Sequence, residues 1–150
     1  MFSQKEQTLL EDLRSGEELC IDKYAEHEAA AASPCLREIF HRIGQQDKSH
    51  RDTLDRILAG DPPPLPAAAG QSGQEAAPCV NYDTEEDHRR DRYLCADALA
   101  TEKHVSSTYN VSIFEFKDKA VRDLLNHIQK EEQEHGKMIY DYMAQNGMYN

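Results

Sequence analysis

The chain has 150 residues, 39% hydrophobic and 30% charged, with a formal net charge of -11. That length and balance suit one globular domain rather than a disordered chain. The negative charge disfavours DNA, RNA or an anionic membrane as partner through long-range repulsion, and it favours cations. No basic stretch followed by an apolar run opens the chain at Met1, Phe2, Ser3 and Gln4, and no run of about 18 apolar residues occurs. The expectation is an intracellular protein that neither crosses membranes nor binds nucleic acid.

Ser3 and Glu6 form a capping box, and Leu10, Leu13, Cys20 and Tyr24 follow at steps of three and four residues. This predicts a first helix running to about Ala32. Ser33 then offers an N-cap with Pro34 in the first helical position. Leu36, Phe40, Ile43, Leu54 and Ile57 make the next stripe, and Gly60 closes it. Residues 3–59 are therefore predicted to be an antiparallel helical hairpin.

Residues 60–82 hold Asp61-Pro62-Pro63-Pro64 and Gly70-Gln71-Ser72-Gly73, a composition that reads as linker. A helix over 34–59 is about 39 Å long, whereas the linker extends to roughly 70 Å, enough to return along a whole helix. Thr84 and Asp87 signal another helix start, with Tyr93, Leu99, Val105, Tyr109, Ile113 and Phe116 as its stripe. Asp118 caps a fourth helix carrying Val121, Leu125, Ile128, Ile139 and Tyr142, and Gly147 ends it. Residues 84–146 form the second hairpin. Short, long and short connections describe an all-α, ferritin-like antiparallel four-helix bundle with one long crossover, filling a single domain over 1–150.

The hairpins repeat one another. Moving the sequence forward by 85 residues lays Leu36 to Leu54 on Val121 to Ile139 without a gap. Arg37 meets Arg122, Phe40 meets Leu125, Ile43 meets Ile128, Asp47 meets Glu132 and His50 meets His135. The same shift takes Glu17 to Glu102, Tyr24 to Tyr109 and the cap Ser33 to the cap Asp118.

Polar residues interrupt these stripes at positions assigned to the core: Glu17, Asp47 with His50, Glu102, and Glu132 with His135. Counted from the turns at Ser33 and Asp118, the residues of each triplet fall in one layer. A pseudo-twofold axis would set the triplets face to face. Four buried carboxylates raise one another's pKa values and cost several kcal/mol per ion unless cations neutralise them. A carboxylate on one helix and a carboxylate-x-x-His pair on the next supply oxygen and nitrogen donors for two divalent metals, iron or manganese by preference and zinc as a further option. Asp47, one methylene shorter than Glu132, makes a bridging role strained at its position, so an asymmetric site, a single metal or a polar core without metal are alternatives.

Tyr24 and Tyr109 each follow their helix's carboxylate by seven residues. Their hydroxyls either approach the polar layer or belong to ordinary core tyrosines. His27, His41, His88, His104 and His127 lack a repeated partner of the same type and read as surface or locally hydrogen-bonded residues. Cys20, Cys35, Cys79 and Cys95 form no C-x-x-C pair and are expected to be reduced thiols, with Cys79 in the linker available to cross-link chains. Cys20 and Cys35 lie roughly 16 Å apart in helix height, too far to pair.

The stretch Glu102-Lys-His-Val-Ser-Ser-Thr-Tyr-Asn-Val-Ser-Ile-Phe-Glu115, with Val121 to Gly136 and Tyr140 to Tyr149, resembles the coat F family of spore coat proteins. The resemblance is strong over about 85–149 and weaker over 5–59. It implies a ferritin-like helical domain placed in the endospore coat or the sporulating mother cell, with other coat proteins or further copies of itself as partners. It implies no catalytic residue. More distantly, Glu17 to Tyr24 and Asp47-x-x-His50 are similar to the metal-binding helices of rubrerythrin, which implies a di-iron or di-manganese oxidoreductase acting on peroxide or dioxygen. This chain departs from that pattern in Asp47, in lacking a rubredoxin-like set of four cysteines, and in its long proline-rich linker. The sequence thus leaves three readings: a coat structural protein stabilised by metal, a di-metal oxidoreductase, and a scaffold that has lost its metal.

Overall fold

A computed structural model describes residues 1–67 and 82–149. Four helices account for most of them: α1 (Gln4–Ala30), α2 (Pro34–Leu58), α3 (Glu85–Ile113) and α4 (Lys119–Gln145). Each begins where a side chain takes up its free N–H groups. Ser3 and Glu6 cap each other's backbone, Ser33 accepts from Leu36 N–H, Thr84 from Asp87 N–H, and Asp118 from Ala120 and Val121 N–H. Helices α2 and α4 end at glycines with positive φ, 79° at Gly60 and 66° at Gly147, the conformation that lets the chain turn away from a helix end. Helix α1 stops at Ala30, two residues short of the expected Ala32, because the chain is already extended at Ala31.

Helix α1 packs along α2 and α3 along α4, and the two hairpins join through α1 against α3 and α2 against α4. The core stripes expected of α1, α2 and α4 are all buried. The stripe expected of α3 needs correction. Tyr93 is 71% exposed, and Leu99 and Ile113 only lean against the core. The buried face of α3 is Leu94, Cys95, Ala98, Glu102, Val105 and Tyr109. Cys95 and Ala98 are small, so the larger Tyr93 dominated the periodicity. The 85-residue shift carries the buried Leu10, Leu13, Glu17, Cys20 and Tyr24 of α1 onto Cys95, Ala98, Glu102, Val105 and Tyr109 of α3.

Buried carboxylates also tie each hairpin to the other's turn. Asp91 on α3 accepts from the backbone N–H of Ala32 (2.8 Å) and Ser33 (2.9 Å) and from the Tyr82 hydroxyl (2.8 Å). Glu6 on α1 accepts from the N–H of Lys117, at 3.3 Å, in the α3–α4 turn. Arg37 and Arg122 donate to carbonyls of the same two turns, at Ala32 and Lys117.

Residues 61–67 lie in no helix or strand; the rest of the expected crossover, with Cys79, lies outside the described residues. Cys20 and Cys95 are buried free thiols, as expected, but Cys35 is disulfide-bonded, which corrects the expectation of four reduced thiols. Cys35 sits half-buried in the first turn of α2, packed against the core. Among the described residues no helix is long and apolar enough to cross a membrane.

Candidate metal centre

One helix position apiece on α1 and α3, and one helical turn apiece on α2 and α4, bring six polar side chains into the centre of the bundle. Glu17, Asp47, His50, Glu102, Glu132 and His135 are each no more than 3% exposed. The i, i+3 spacing puts Asp47 beside His50 and Glu132 beside His135 on inward helix faces. The rings of His50 and His135 stack at 5.9 Å across the middle.

The donor atoms fall into two overlapping groups. Glu17, Asp47, His50 and Glu132 form one; Glu102, Glu132 and His135 form the other; within each, the donor atoms lie within 4.8 Å of one another. His50 Nδ1 stands 3.0 Å from Glu132 Oε1, 3.5 Å from Glu17 Oε1 and 3.6 Å from Asp47 Oδ1. His135 Nδ1 stands 3.3 Å from Glu132 Oε2 and 3.6 Å from Glu102 Oε1. Glu132 therefore turns one oxygen to each histidine. The shorter Asp47 belongs to the first group only; its nearest approach to the other histidine is 3.9 Å.

These atoms are close without satisfying one another. Glu17 Oε2, both Asp47 oxygens, His50 Nδ1, Glu102 Oε2, Glu132 Oε1 and His135 Nδ1 are buried without a hydrogen-bond partner. A buried polar atom left unpaired costs on the order of 1–3 kcal/mol, so such a cluster is stable only if something else meets it. Two donors each about 2.1 Å from one cation stand roughly 3 to 4 Å apart, which matches most of these Nδ1-to-oxygen spacings. The donor set, mixed carboxylate oxygen and imidazole nitrogen, suits iron, manganese or zinc. These buried Glu, Asp and His groups can thus hold metal ions.

Electrostatics without a cation are strained. Burial pushes Glu17 up to about 7 and Glu102 up to about 9, and raises Asp47. Glu132 moves the other way: burial opposes its charge, but His135 and His50 hold it ionised. Both imidazoles are likewise penalised by burial yet raised by the carboxylates around them, His135 to about 10. Protons are thus held in place of other positive charge. Cys20, one turn from Glu17, has its thiol raised by burial and by the same carboxylates, and it joins neither donor group.

The tyrosines reach the polar layer, but from the opposite hairpin. The Tyr24 hydroxyl donates to Glu102 Oε1 at 2.5 Å, and Tyr109 donates to Glu17 Oε1 at 2.6 Å. Each orients the carboxylate of the other half. Of the remaining histidines, His27 reaches Asp97 on α3 at 2.9 Å, exposed His41 contacts Glu28 on α1 at 3.2 Å, and His88 donates to the carbonyl of Asn146 beyond α4 at 2.7 Å; the first and third are long-range contacts, which corrects the expectation of local ones. His127 does make a local contact, to Glu131 one turn along α4, and Glu131 itself meets His50. Glu131 and Gln46, absent from the expected site, line its outer side. Their signal was present, since each precedes a ligand-type carboxylate and the 85-residue shift carries Gln46 onto Glu131.

Among known proteins, residues 90–150, comprising most of α3 and all of α4, match the family model of the Coat F domain. No curated protein sequence and no solved structure matches the chain.

Proposed function

We propose, from the match of residues 90–150 to the Coat F domain model, that this protein is a structural component of the bacterial spore coat, assembling with other coat proteins or with copies of itself. In this reading the whole chain is one ferritin-like domain of two repeated hairpins, and its interior binds two divalent transition metals, iron or manganese before zinc. Glu17, Asp47 and His50 hold one, Glu102 and His135 the other, and Glu132 is shared. The observation that supports the metal is the convergence of unpaired, buried donor atoms from all six residues. What a bound cation supplies is positive charge in a low-dielectric interior, which replaces the protons now shared by the carboxylates and histidines.

Elemental analysis of protein purified without chelator tests the metal, with about two transition-metal ions per chain expected. Well under one per chain, together with no uptake by metal-free protein, overturns that part. The coat assignment is tested by immunolocalisation in sporulating cells, where signal on the spore surface is expected and signal confined to vegetative cytoplasm refutes it.

The di-metal oxidoreductase reading uses the same six residues and draws on Tyr24 and Tyr109, whose hydroxyls touch Glu102 and Glu17. It differs in outcome. It requires that metal-loaded protein consume peroxide or dioxygen with a reductant, whereas the structural role requires only that metal raise stability.

A further inference from the structure

His50 and His135 turn Nδ1 toward the carboxylates, and their outward nitrogens end on one small group. His50 Nε2 lies 3.2 Å from Glu131 Oε1. The other oxygen of Glu131 accepts from the amide nitrogen of Gln46, and Gln46 Oε1 meets Nε2 of His135. His127 Nε2 reaches Glu131 Oε1 at 3.0 Å from the more exposed side.

The donor and acceptor inventory determines where the hydrogens sit. A carboxylate only accepts, so Gln46 must turn its NH2 to Glu131 and its oxygen to His135. An amide oxygen also only accepts, so His135 must present Nε2–H. The same carboxylate requires Nε2–H at His50. With hydrogen held on Nε2, a ring whose other proton is displaced by a cation presents its lone pair on Nδ1, the atom left unpaired among the carboxylates. We propose that Glu131 is the positioning residue of the metal centre, setting His50 directly and His135 through the Gln46 amide as Nδ1 ligands. This rests on the metal-binding reading above. The support is unequal: His50 faces a carboxylate and a neutral amide backs His135. Loss of Glu131 touches both metal positions, and loss of Gln46 touches the Glu102 side.

The test uses the full chain, Zn²⁺ as probe, calorimetric titration and ¹⁵N spectra of the histidine rings. His50 and Gln46 use different oxygens of Glu131, and in Glu131→Gln one of these positions becomes an NH2 donor, so one ring loses its Nε2 acceptor. Zn²⁺ affinity is expected to fall at least tenfold, in the range seen when outer partners of metal-bound histidines are removed. One ring's nitrogen shifts should also change. Glu131→Asp keeps an acceptor-only group and should restore most of the affinity, and Gln46→Leu should weaken only one of two Zn²⁺ equivalents. Wild-type affinity and unchanged ring shifts in Glu131→Gln overturn the proposal, as does equal loss in Glu131→Gln and Glu131→Asp. If Glu131→Gln does not fold, the other two variants decide, and unaltered Zn²⁺ binding in Gln46→Leu is then the refuting result. Should wild type take up no Zn²⁺, the metal reading fails by itself. The Nε2–H protons of metal-free protein then judge Glu131: protected in wild type and lost from one ring in Glu131→Gln if it positions them, unchanged if it does not.

Discussion

Glu132 faces both histidines, and removing it should be worse than removing either of them. Glu132→Ala deprives both donor groups of an oxygen, whereas His135→Ala leaves Glu17, Asp47, His50 and Glu132 in place. Calorimetric titration with Mn²⁺ should show loss of both equivalents in the first variant and of one in the second. Equal behaviour of the two variants would remove Glu132 from its shared role. The tyrosines act at the same scale. Tyr24→Phe or Tyr109→Phe takes a hydroxyl donor from a buried carboxylate, and each should cost about 1–2 kcal/mol in urea unfolding of metal-free protein. The six ligand-type residues were legible in the sequence because polar side chains on a core stripe stand out against apolar neighbours. Glu131 and Gln46 were missed, because in a helix read alone they lie beside the stripe and look like ordinary surface polarity; only the 85-residue shift relates them.

At the scale of elements, the hairpins hold each other by their ends. Asp91 caps the α1–α2 turn with two backbone N–H acceptances and one from Tyr82, while Glu6 makes one to the α3–α4 turn. Asp91→Ala should therefore destabilise by about 3 kcal/mol in urea unfolding, and Glu6→Ala by less, with metal stoichiometry unchanged in both. A loss of metal in Asp91→Ala would mean that the turns and the centre are coupled. Helix ends were readable from Ser3, Ser33, Thr84, Asp118, Gly60 and Gly147, since a cap is a local interaction. The inward face of α3 was not readable from its own periodicity, because Ala98 and Cys95 contribute little hydrophobic contrast and Tyr93 contributes much.

For the whole molecule, stability should depend on pH and metal together. Glu17, Asp47, Glu102, His50 and His135 bind protons more tightly folded than unfolded. The stability they lend is complete below their ordinary pKa values. It is lost as pH rises through folded values of about 7 for Glu17, about 9 for Glu102 and about 10 for His135. Glu132, lowered on folding, works in the opposite sense, and its contribution disappears only in strong acid. Metal-free protein should therefore melt at progressively lower temperature from pH 5 to pH 9. Metal needs the deprotonated ligands, so its dissociation constant should fall toward alkaline pH, and Mn²⁺ at a hundred times that constant should add about 2.7 kcal/mol per site. A melting temperature that is flat with pH and indifferent to Mn²⁺ would contradict both expectations.

The sequence by itself determined the four helices, their N-caps, their pairing into two hairpins and the identity of six inward polar residues. Helical periodicity and capping are written in residues three or four apart, and short turns pair neighbouring helices. Tertiary structure alone decided the cross-hairpin pairings: Tyr24 on Glu102, Tyr109 on Glu17, Asp91 on the turn at Ala32 and Ser33, and Gln46 with Glu131 behind the histidines. These contacts join residues separated by 58 to 92 positions. They depend on how one hairpin is rotated against the other, and no periodicity within a helix carries that angle. The same rotation gave Glu132 its two neighbours and left Asp47 with one side of the centre.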